Sequence, residues 1–518
     1  MKRALFLGAL VLLATACGGV ETGGGGNAGK ALDYLAADSA TVILVSTDVD
    51  GEQWDGIDEH VYRPFAENGD DAPATLEGYF VQTAEEIGLD WDDDVKPLLG
   101  NDIAIGIEGE PFDLLGGEGE SGATAALETR EGDLEDVLEK AGLRPAGEAS
   151  GATLYRRGGG GSMSIAVDGD VLVVSEDEDT LRRALARPGG GGGLDVKAVE
   201  EAFADLPEEA LVRAYGTAER LADQEQLRRF ASLPLMEALE SWALTARFAR
   251  DELDVDAVAR LDESKVDEED LPLVTGEESP EIVLRDREIS GGNRNQSQTT
   301  VFLLRALRLG YPDSRFIEAV DAVEKELGID FEEEILRQFD GPSASYVSPD
   351  GRTFAARSEV RDPEALRALL PRLAPHLPQL AEGLQGLQSQ GMALLFLFAP
   401  DAPAAAPMQG VTVDPPETED GLYRISGLTG DGPSELHLGL IGDVFVVASS
   451  EEAAREIAEA PTREAEGAKG AGVLRADLGR LGRDDSTMVP FPFDAEELVA
   501  SLQASTKELR ARVRVELD

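Results

Sequence analysis

Hydrophobic and polar positions along this chain follow two different periods. Residues 41–49, 102–108 and 123–129 run apolar or alternate between apolar and polar, which is typical of strands. Residues 132–142 have a helical period and stop at a glycine. Residues 162–176 place two β-rich runs around an Asp-Gly-Asp turn, the pattern of a tight hairpin. Short hairpins with interspersed helices predict an α+β fold, not a doubly wound nucleotide-binding fold.

Four segments recur in the same order later in the chain. The matching pairs are 88–100 with 328–341, 130–142 with 360–371, 151–157 with 421–425, and 164–185 with 437–458. Four matches in one order predict two related halves, each a mainly antiparallel sheet with packed helices. We place the halves at 31–262 and 301–518, separated by an acidic and polar linker and lead-in over 263–300. The linker sequences themselves lie at 262–280 and 289–300. The growing offset predicts an insertion in the second half near 376–420.

The first matched segment crowds four aspartates together and raises the question of a cation site. An EF-hand loop starting at Asp90 needs a glycine at its sixth position, where Val95 stands instead. Asp90 with Asp93, and Asp330 with Glu333, have the spacing of a capping box at a helix start. Acidic side chains are also favourable beside the positive end of a helix. We therefore favour two capped helix starts over a cation site.

The apolar residues of these two segments have matching positions. Trp91 with Val95, and Phe331 with Ile335, stand four residues apart, so each pair is expected on one inward face of a helix. Pro97 follows in the first copy and predicts that its helix is short or kinked.

Composition and charge argue against several classes of function. The chain of 518 residues has 46 Lys+Arg against 102 Asp+Glu, a formal net charge of −56. Such a surface repels nucleic acid and anionic lipid headgroups, so we expect no nucleic-acid partner. The three histidines, His60, His376 and His437, stand far apart, and no phosphate loop or nucleophile motif occurs. We predict no enzyme, no metal site and no cofactor.

The N-terminus has the pattern of an export signal. Lys2 and Arg3 precede an apolar run from Ala4 to Leu13, which is too short to span a bilayer. Three small residues follow, and then Cys17, the one cysteine of the chain. This order resembles the bacterial lipoprotein signal, in which the thiol is modified with diacylglycerol and becomes the first residue of the mature chain. The resemblance implies a signal peptide over 1–16 and lipidation at Cys17.

A glycine-rich stretch then occupies 17–30 and predicts a flexible tether between the anchor and the folded part. Two later apolar segments raise the question of lipid contact. Residues 300–309 are expected as a buried strand or helix that opens the second half. Residues 392–400 lie in the insertion, where we favour a buried strand over an exposed lipid- or partner-binding element.

The signal, the tether, the opening at 31–49 and a D-x-x-P-x-L-G motif together resemble an uncharacterised family of bacterial lipoproteins, a domain of unknown function. The motif appears here as Asp94, Pro97, Leu99 and Gly100. The second copy departs from it, with Arg337 in place of Pro97. The resemblance covers most of the mature chain and implies a duplicated α+β extracytoplasmic region. It implies no catalytic residue.

These observations predict a lipid-anchored lipoprotein on the extracytoplasmic face of the cell membrane, acting as a non-enzymatic binding or scaffolding protein. Its partners are then the membrane, through the N-terminal lipid, and an envelope protein or hydrophobic ligand. Two alternatives stay open at this point: a carrier of a lipid or other hydrophobic ligand, and an acid-dependent hydrolase.

Overall fold

The computed structural model describes most of the chain from Ala28 onward. The described residues are 28–67, 73–108, 122–157, 164–188, 192–219, 225–276, 279–283, 289–348, 353–388, 411–416, 421–427, 435–465, 470–478 and 495–517. They form α-helices and antiparallel β-strands, which confirms the predicted α+β class.

Strands account for the short apolar and alternating runs. They are β1 (Thr41–Val45), β2 (Ile103–Ile107), β3 (Ala123–Glu128), β4 (Leu143–Ala149), β5 (Ala152–Arg157), β6 (Ser164–Asp168), β7 (Val171–Ser175), β8 (Val212–Thr217), β9 (Leu239–Ala249), β10 (Glu252–Leu261), β11 (Glu281–Ile282), β12 (Ile289–Asn293), β13 (Ser343–Val347), β14 (Phe354–Glu359), β15 (Thr412–Asp414), β16 (Tyr423–Ser426), β17 (Glu435–Ile441), β18 (Val444–Ala448), β19 (Arg463–Glu464), β20 (Gly472–Asp477), β21 (Ala495–Ala504) and β22 (Glu508–Leu517).

The helices are mostly short. They are α1 (Glu52–Ile57), α2 (Arg63–Glu67), α3 (Leu76–Glu86), α4 (Leu134–Lys140), α5 (Glu178–Leu185), α6 (Val196–Phe203), α7 (Glu225–Arg228), α8 (Pro234–Ala238), α9 (Gln296–Gly310), α10 (Arg315–Leu327), α11 (Phe331–Glu334), α12 (Pro363–Leu373), α13 (Leu377–Gln388) and α14 (Glu451–Glu459). Tighter or wider helical turns occur at Gly29–Tyr34, Asp58–Tyr62, Trp91–Val95, Lys96–Leu98, Glu268–Asp270, Leu336–Gln338 and Ala374–His376.

Contacts divide the chain into two compact units. Unit 1 comprises Met1–Gln224, Glu240–Ala259 and Leu517–Asp518, and unit 2 comprises Glu225–Leu239 and Arg260–Glu516.

Unit 1 is built on one antiparallel sheet. Its strand order is β9-β8-β1-β2-β3-β7-β6-β5-β4, and β10 pairs with β9. The predicted strands at 41–49, 102–108 and 123–129 and the predicted hairpin at 162–176 are all present, as β1, β2, β3 and β6–β7. The hairpin turns at Gly169, whose φ of +62° favours a residue without Cβ.

Both faces of this sheet are covered in unit 1. All five residues of β7 are buried, because alternate side chains enter two separate cores. Val171 and Val173 pack in the core that includes α5 and α6, whereas Leu172 and Val174 pack in the core that includes α4 and Trp91.

Unit 2 contains an antiparallel sheet with the order β21-β20-β12-β13-β14-β18-β17-β16-β15. A turn closed by the Ser505 N–H on the Glu508 carbonyl leads from β21 to β22. The β17–β18 hairpin turns at Gly442, again with a φ of +62°. One core of unit 2 packs α14 on this sheet, and another packs α12 on it. A separate small sheet pairs β11 with β19.

The segment 289–300, predicted as linker sequence, instead forms β12 and the first turn of α9. β12 lies inside the sheet, between β13 and β20. The polar and glycine-rich sequence of β12 is not typical of a strand, so hydrophobic periodicity does not predict it. Glycine is needed here because one position has no room for a side chain. A Cβ on Gly292 would lie 2.3 Å from the Glu281 carbonyl oxygen. The apolar segment 300–309 lies within α9, where Val301, Leu304 and Leu307 are buried, as expected of it.

The two acidic segments are capped helix starts, as predicted. The Asp90 carboxylate accepts from the Asp93 N–H at 3.0 Å, and the Asp330 carboxylate accepts from the Glu333 N–H at 3.0 Å. In a capping box the N–H of the cap residue donates to the side chain three residues on. Here this second bond, called the return bond below, goes to the acid four residues on. The Asp90 N–H donates to Asp94 at 2.9 Å, and the Asp330 N–H donates to Glu334 at 3.1 Å. The predicted inward pairs are also confirmed, since Trp91, Val95, Phe331 and Ile335 are all buried.

Pro97 is not needed to keep such a helix short. In unit 1 the five-residue turn Trp91–Val95 passes directly into the turn Lys96–Leu98. In unit 2 α11 has only four residues and passes into the turn Leu336–Gln338, although Arg337 replaces the proline. The shortness therefore follows from the shared sequence before that position.

Candidate functional site

A cavity of about 330 Å³ opens in unit 2 beside the junction of β12 and α9. Its lining combines acids, arginines, amides and a serine with two valines. The lining residues are Glu268, Glu269, Val274, Asn295, Ser297, Gln298, Val301, Arg337, Asp340 and Arg361. Pockets for small molecules in proteins have volumes from about 300 Å³ upward. The size and mixed lining make this cavity the candidate functional site of the described residues.

The N-terminus of α9 forms one wall of the cavity. Asn295 caps the helix, because its side-chain oxygen accepts from the Gln298 N–H at 3.0 Å. The Asn295 amide also donates to Asp340 at 3.0 Å. The N–H of Ser297 donates to the Phe339 carbonyl at 2.9 Å. These first-turn donors are engaged inside the protein, so the backbone here has few donors left for an anion.

A second wall comes from the turn Glu268–Asp270, which is held to α9. The Gln298 side-chain amide donates to the Glu268 carbonyl at 2.6 Å. The turn itself begins with a capping box between Asp267 and Asp270. The backbone of the wall is therefore fixed, while the Glu268 carboxylate makes no hydrogen bond or ion pair with the residues that the structure describes.

Arg337 belongs to an ion-pair group at the edge of the cavity. Its guanidinium lies 3.2 Å from Glu332 and 3.9 Å from Glu269. Arg305 lies 2.6 Å from Glu332, and this hydrogen bond raises the pKa of Arg305 above its usual range. Because Arg337 is shared among carboxylates, it contributes little net positive charge to the cavity.

Besides the Glu268 carboxylate, two polar side chains of the lining lack a partner within the described part of the chain. The Arg361 guanidinium makes no hydrogen bond or ion pair there; only its backbone N–H is engaged, with the Gln338 carbonyl at 2.7 Å. The Ser297 hydroxyl likewise makes no hydrogen bond there, although the residue is only 6% exposed. Both groups are therefore available to a ligand in the cavity.

In the topologically equivalent corner of unit 1, side chains bond to the nearby backbone and to one another. Thr47, two residues after β1, donates to the Asn101 carbonyl at 2.5 Å and accepts from the Gly100 N–H at 3.0 Å. A Cβ on Gly100 would lie 3.0 Å from the Arg130 guanidinium, so Arg130 lies directly against this backbone. Nearby, Lys96 lies 3.0 Å from Asp50.

Asp48 sits in the same corner of unit 1. Burial raises the pKa of its carboxyl, the neighbouring Asp50 raises it further, and Arg130 opposes them. The charges here pair with one another, whereas the arginine at the equivalent place in unit 2, Arg361, is left open.

Of the site residues predicted from sequence, Cys17 lies outside the described residues, as does the apolar segment 392–400. The aspartates at 90–94 serve the helix start, and Asp94 also pairs with Lys140 at 2.6 Å. Across the described ranges, no group of three or more His, Cys, Asp or Glu side chains is arranged to hold a metal ion. Within the same residues, no helix is both long and apolar enough to cross a membrane.

The residues that line the cavity were missed from sequence. One signal was present: an arginine precedes the cap aspartate in both matched segments, Arg130 three residues before Asp133 and Arg361 one residue before Asp362. Among the described residues, Val274 and Val301 are the aliphatic side chains of the lining, fewer than is typical of a lipid pocket.

Comparison with known proteins adds little to this geometry. No family model and no curated protein matches the chain. Among solved structures it is similar to TP0453. The match to its crystal form III has 11% identity and a TM-score of 0.27, and covers 46% of this chain and 82% of that chain. The match to crystal form I has 11% identity and a TM-score of 0.26, and covers 46% of this chain and 80% of that chain. Similarity at this level carries no argument about fold or function.

Proposed function

We propose that this protein is a lipid-anchored lipoprotein of the cell envelope, held at the extracytoplasmic face of the membrane through Cys17. The observation that carries the proposal is the position of the chain's one cysteine, directly after a basic and then apolar signal segment. The glycine-rich stretch that follows Cys17 supports it, because such a composition is typical of a flexible tether between an anchor and a folded part.

The folded part then serves binding or scaffolding without catalysis. The cavity of unit 2 supports this role, because it combines carboxylates and a serine hydroxyl with an arginine whose side chain has no partner among the described residues. Its polar lining favours a polar ligand over the hydrophobic one considered from sequence.

We also propose that units 1 and 2 arose by duplication of one α+β unit. The identical order of nine strands supports this, with β9 to β4 of unit 1 corresponding in turn to β21 to β15 of unit 2. The matching hairpin turns at Gly169 and Gly442 add to it. Between α12 and β15, unit 2 contains α13 and further residues where unit 1 passes directly from α4 to β4, as an insertion requires.

Anchoring is tested by Cys17→Ala in the intact chain expressed in a bacterial host that processes lipoproteins. The variant should move from the membrane fraction to the soluble extracytoplasmic fraction, because a diacylglycerol anchor needs the thiol. It should also lose incorporation of radiolabelled fatty acid.

Thr22→Ala is the matched control, since it changes the neighbouring tether and keeps the cysteine. It should stay in the membrane fraction and keep the label. A Cys17→Ala protein that remains with the membrane, or a wild-type protein that takes up no fatty acid, would refute the anchor.

A further inference from the structure

We infer that the cavity of unit 2 binds a small zwitterion, of the class of a free amino acid or dipeptide, with its carboxylate at Arg361 and its ammonium at the acids opposite. The inference rests on the proposed binding role and specifies the ligand. It does not depend on the lipid anchor.

The charges of the lining select this class. Arg361 provides five N–H donors in a planar fork that matches a carboxylate, and it has no acceptor within the described residues. Glu268 and Asp340 provide acceptors for an ammonium group. A ligand with only one of these charges would leave the opposite group of the cavity unpaired, which lowers affinity.

The helix N-terminus excludes the most obvious competitor, a phosphate held by backbone amides. The Gln296, Ser297 and Gln298 N–H groups of α9 already donate to Gly341, Phe339 and Asn295. An anion in this cavity must therefore be bound by side chains, chiefly Arg361.

The Ser297 hydroxyl provides a further donor for the ligand. The residue lines the cavity and is only 6% exposed, and its hydroxyl makes no hydrogen bond in the described chain. A ligand carboxylate or amide can accept from this hydroxyl. Val274 and Val301 then provide apolar contact for a short aliphatic portion of the ligand.

The equivalent corner of unit 1 differs from the cavity of unit 2 because its charged groups are paired. There Lys96 pairs with Asp50, and Arg130 lies against the Gly100 backbone. Because these charged groups already have partners, we expect the ligand to bind in unit 2.

The test is equilibrium dialysis of the full chain, purified in mild detergent, against a mixture of the twenty amino acids and their dipeptides with alanine, read by mass spectrometry. At least one member should be enriched on the protein side. Its C-terminal amide and its N-acetyl derivative should each bind at least about tenfold more weakly, because each lacks one charge. Enrichment of no member, or equal binding of either derivative, would overturn the inference.

Arg361→Ala should reduce binding of the enriched member at least about tenfold, and Arg361→Lys should restore part of it. Arg315→Ala is the matched control, an exposed arginine of unit 2 outside the cavity. It should bind as the wild type does. Circular dichroism confirms that each variant is folded. If Arg361→Ala and Arg315→Ala bind equally, the site is not this cavity. Dialysis does not read membrane attachment, so failure here and failure of the Cys17 anchor are separate results.

Discussion

At Asp90 in unit 1 and at Asp330 in unit 2 the chain makes the same turn into a short helix. Each carboxylate accepts from the N–H three residues on, and each N–H donates to the acid four residues on. An aromatic residue follows directly, Trp91 in one case and Phe331 in the other, and both are buried. Residues close in sequence make all of these bonds, so a similar local sequence repeats them.

The ion pairs around the two turns differ. In unit 1 the fourth acid, Asp94, pairs with Lys140 of α4 at 2.6 Å. In unit 2 the pairing falls on a different acid, Glu332, which contacts Arg305 of α9 at 2.6 Å. Ion pairing depends on which helix packs nearby, whereas capping depends on the turn alone. The comparison therefore separates what local sequence determines from what tertiary packing adds.

The largest loss of stability is expected when the buried aromatic residue of either turn is truncated. Trp91→Ala and Phe331→Ala should each destabilise their unit by about 3–5 kcal/mol, because each leaves a cavity in a packed core. Trp91→Ala should cost more, since its ring also packs against Phe80 at 5.2 Å between centroids. Urea unfolding followed by tryptophan fluorescence reads unit 1, which contains all three tryptophans. Hydrogen exchange of 328–341 reads unit 2.

Trp91→Phe is the control, because it gives unit 1 the residue type of unit 2. The Trp91 Nε1–H has no hydrogen-bond partner within the described residues, so phenylalanine loses only volume there. The cost should be about 1–2 kcal/mol. If Trp91→Phe is as damaging as Trp91→Ala, the aromatic residues of the two turns are not equivalent.

The turns were predictable from sequence because their determinants are local. Cap acids, the buried i, i+4 pairs and the Asp-Gly-Asp hairpin all depend on residues within a few positions of one another, and each is present in the structure. The bond from the cap N–H shifted by one residue in both turns, from Asp93 to Asp94 and from Glu333 to Glu334, which the spacing alone did not predict.

The cavity was not predictable because its lining is brought together from distant parts of the chain. Glu268, Asn295 and Arg361 are far apart in sequence and are brought together by tertiary contacts. The Gln298 side-chain amide donates to the Glu268 carbonyl, and the Arg361 N–H donates to the Gln338 carbonyl. β12 itself was not predicted because Gly291 and Gly292 lie in a polar segment whose composition is typical of a linker. Hydrophobic periodicity therefore missed the strand that carries one wall of the site.

The next effect in size comes from the caps themselves. Asp90→Ala and Asp330→Ala should each destabilise the local helix start by about 1 kcal/mol, because each leaves a backbone N–H without its acceptor. Duplication of one unit predicts nearly equal losses of protection in 88–100 and 328–341, measured by hydrogen exchange. Asp92→Ala is the control, since Asp92 is exposed and outside both hydrogen bonds. A large loss at one cap and none at the other would weigh against a shared origin of the two turns.

The smallest effect is a difference in acid sensitivity between the two turns. The hydrogen bond from Lys140, followed by that from the Asp90 N–H, holds the pKa of the Asp94 carboxyl below its usual range. A carboxyl whose pKa is lower in the folded chain stabilises the fold above its unfolded pKa, near pH 4. That stability is lost as the pH falls through the lower folded value. Asp94→Asn should therefore lower the urea midpoint of unit 1 slightly at pH 7 and have no effect near pH 2.

Glu334→Gln is the matched variant in unit 2, where the equivalent acid makes the same return bond but has no cation partner in the described chain. Asn and Gln both keep an oxygen that accepts this bond, so each substitution removes charge and leaves the capping geometry in place. Glu334→Gln should therefore change stability less between pH 7 and pH 2 than Asp94→Asn does. An equal pH dependence in both units would mean that Lys140 contributes nothing beyond the turn, and the distinction between local capping and tertiary pairing would fail at this site.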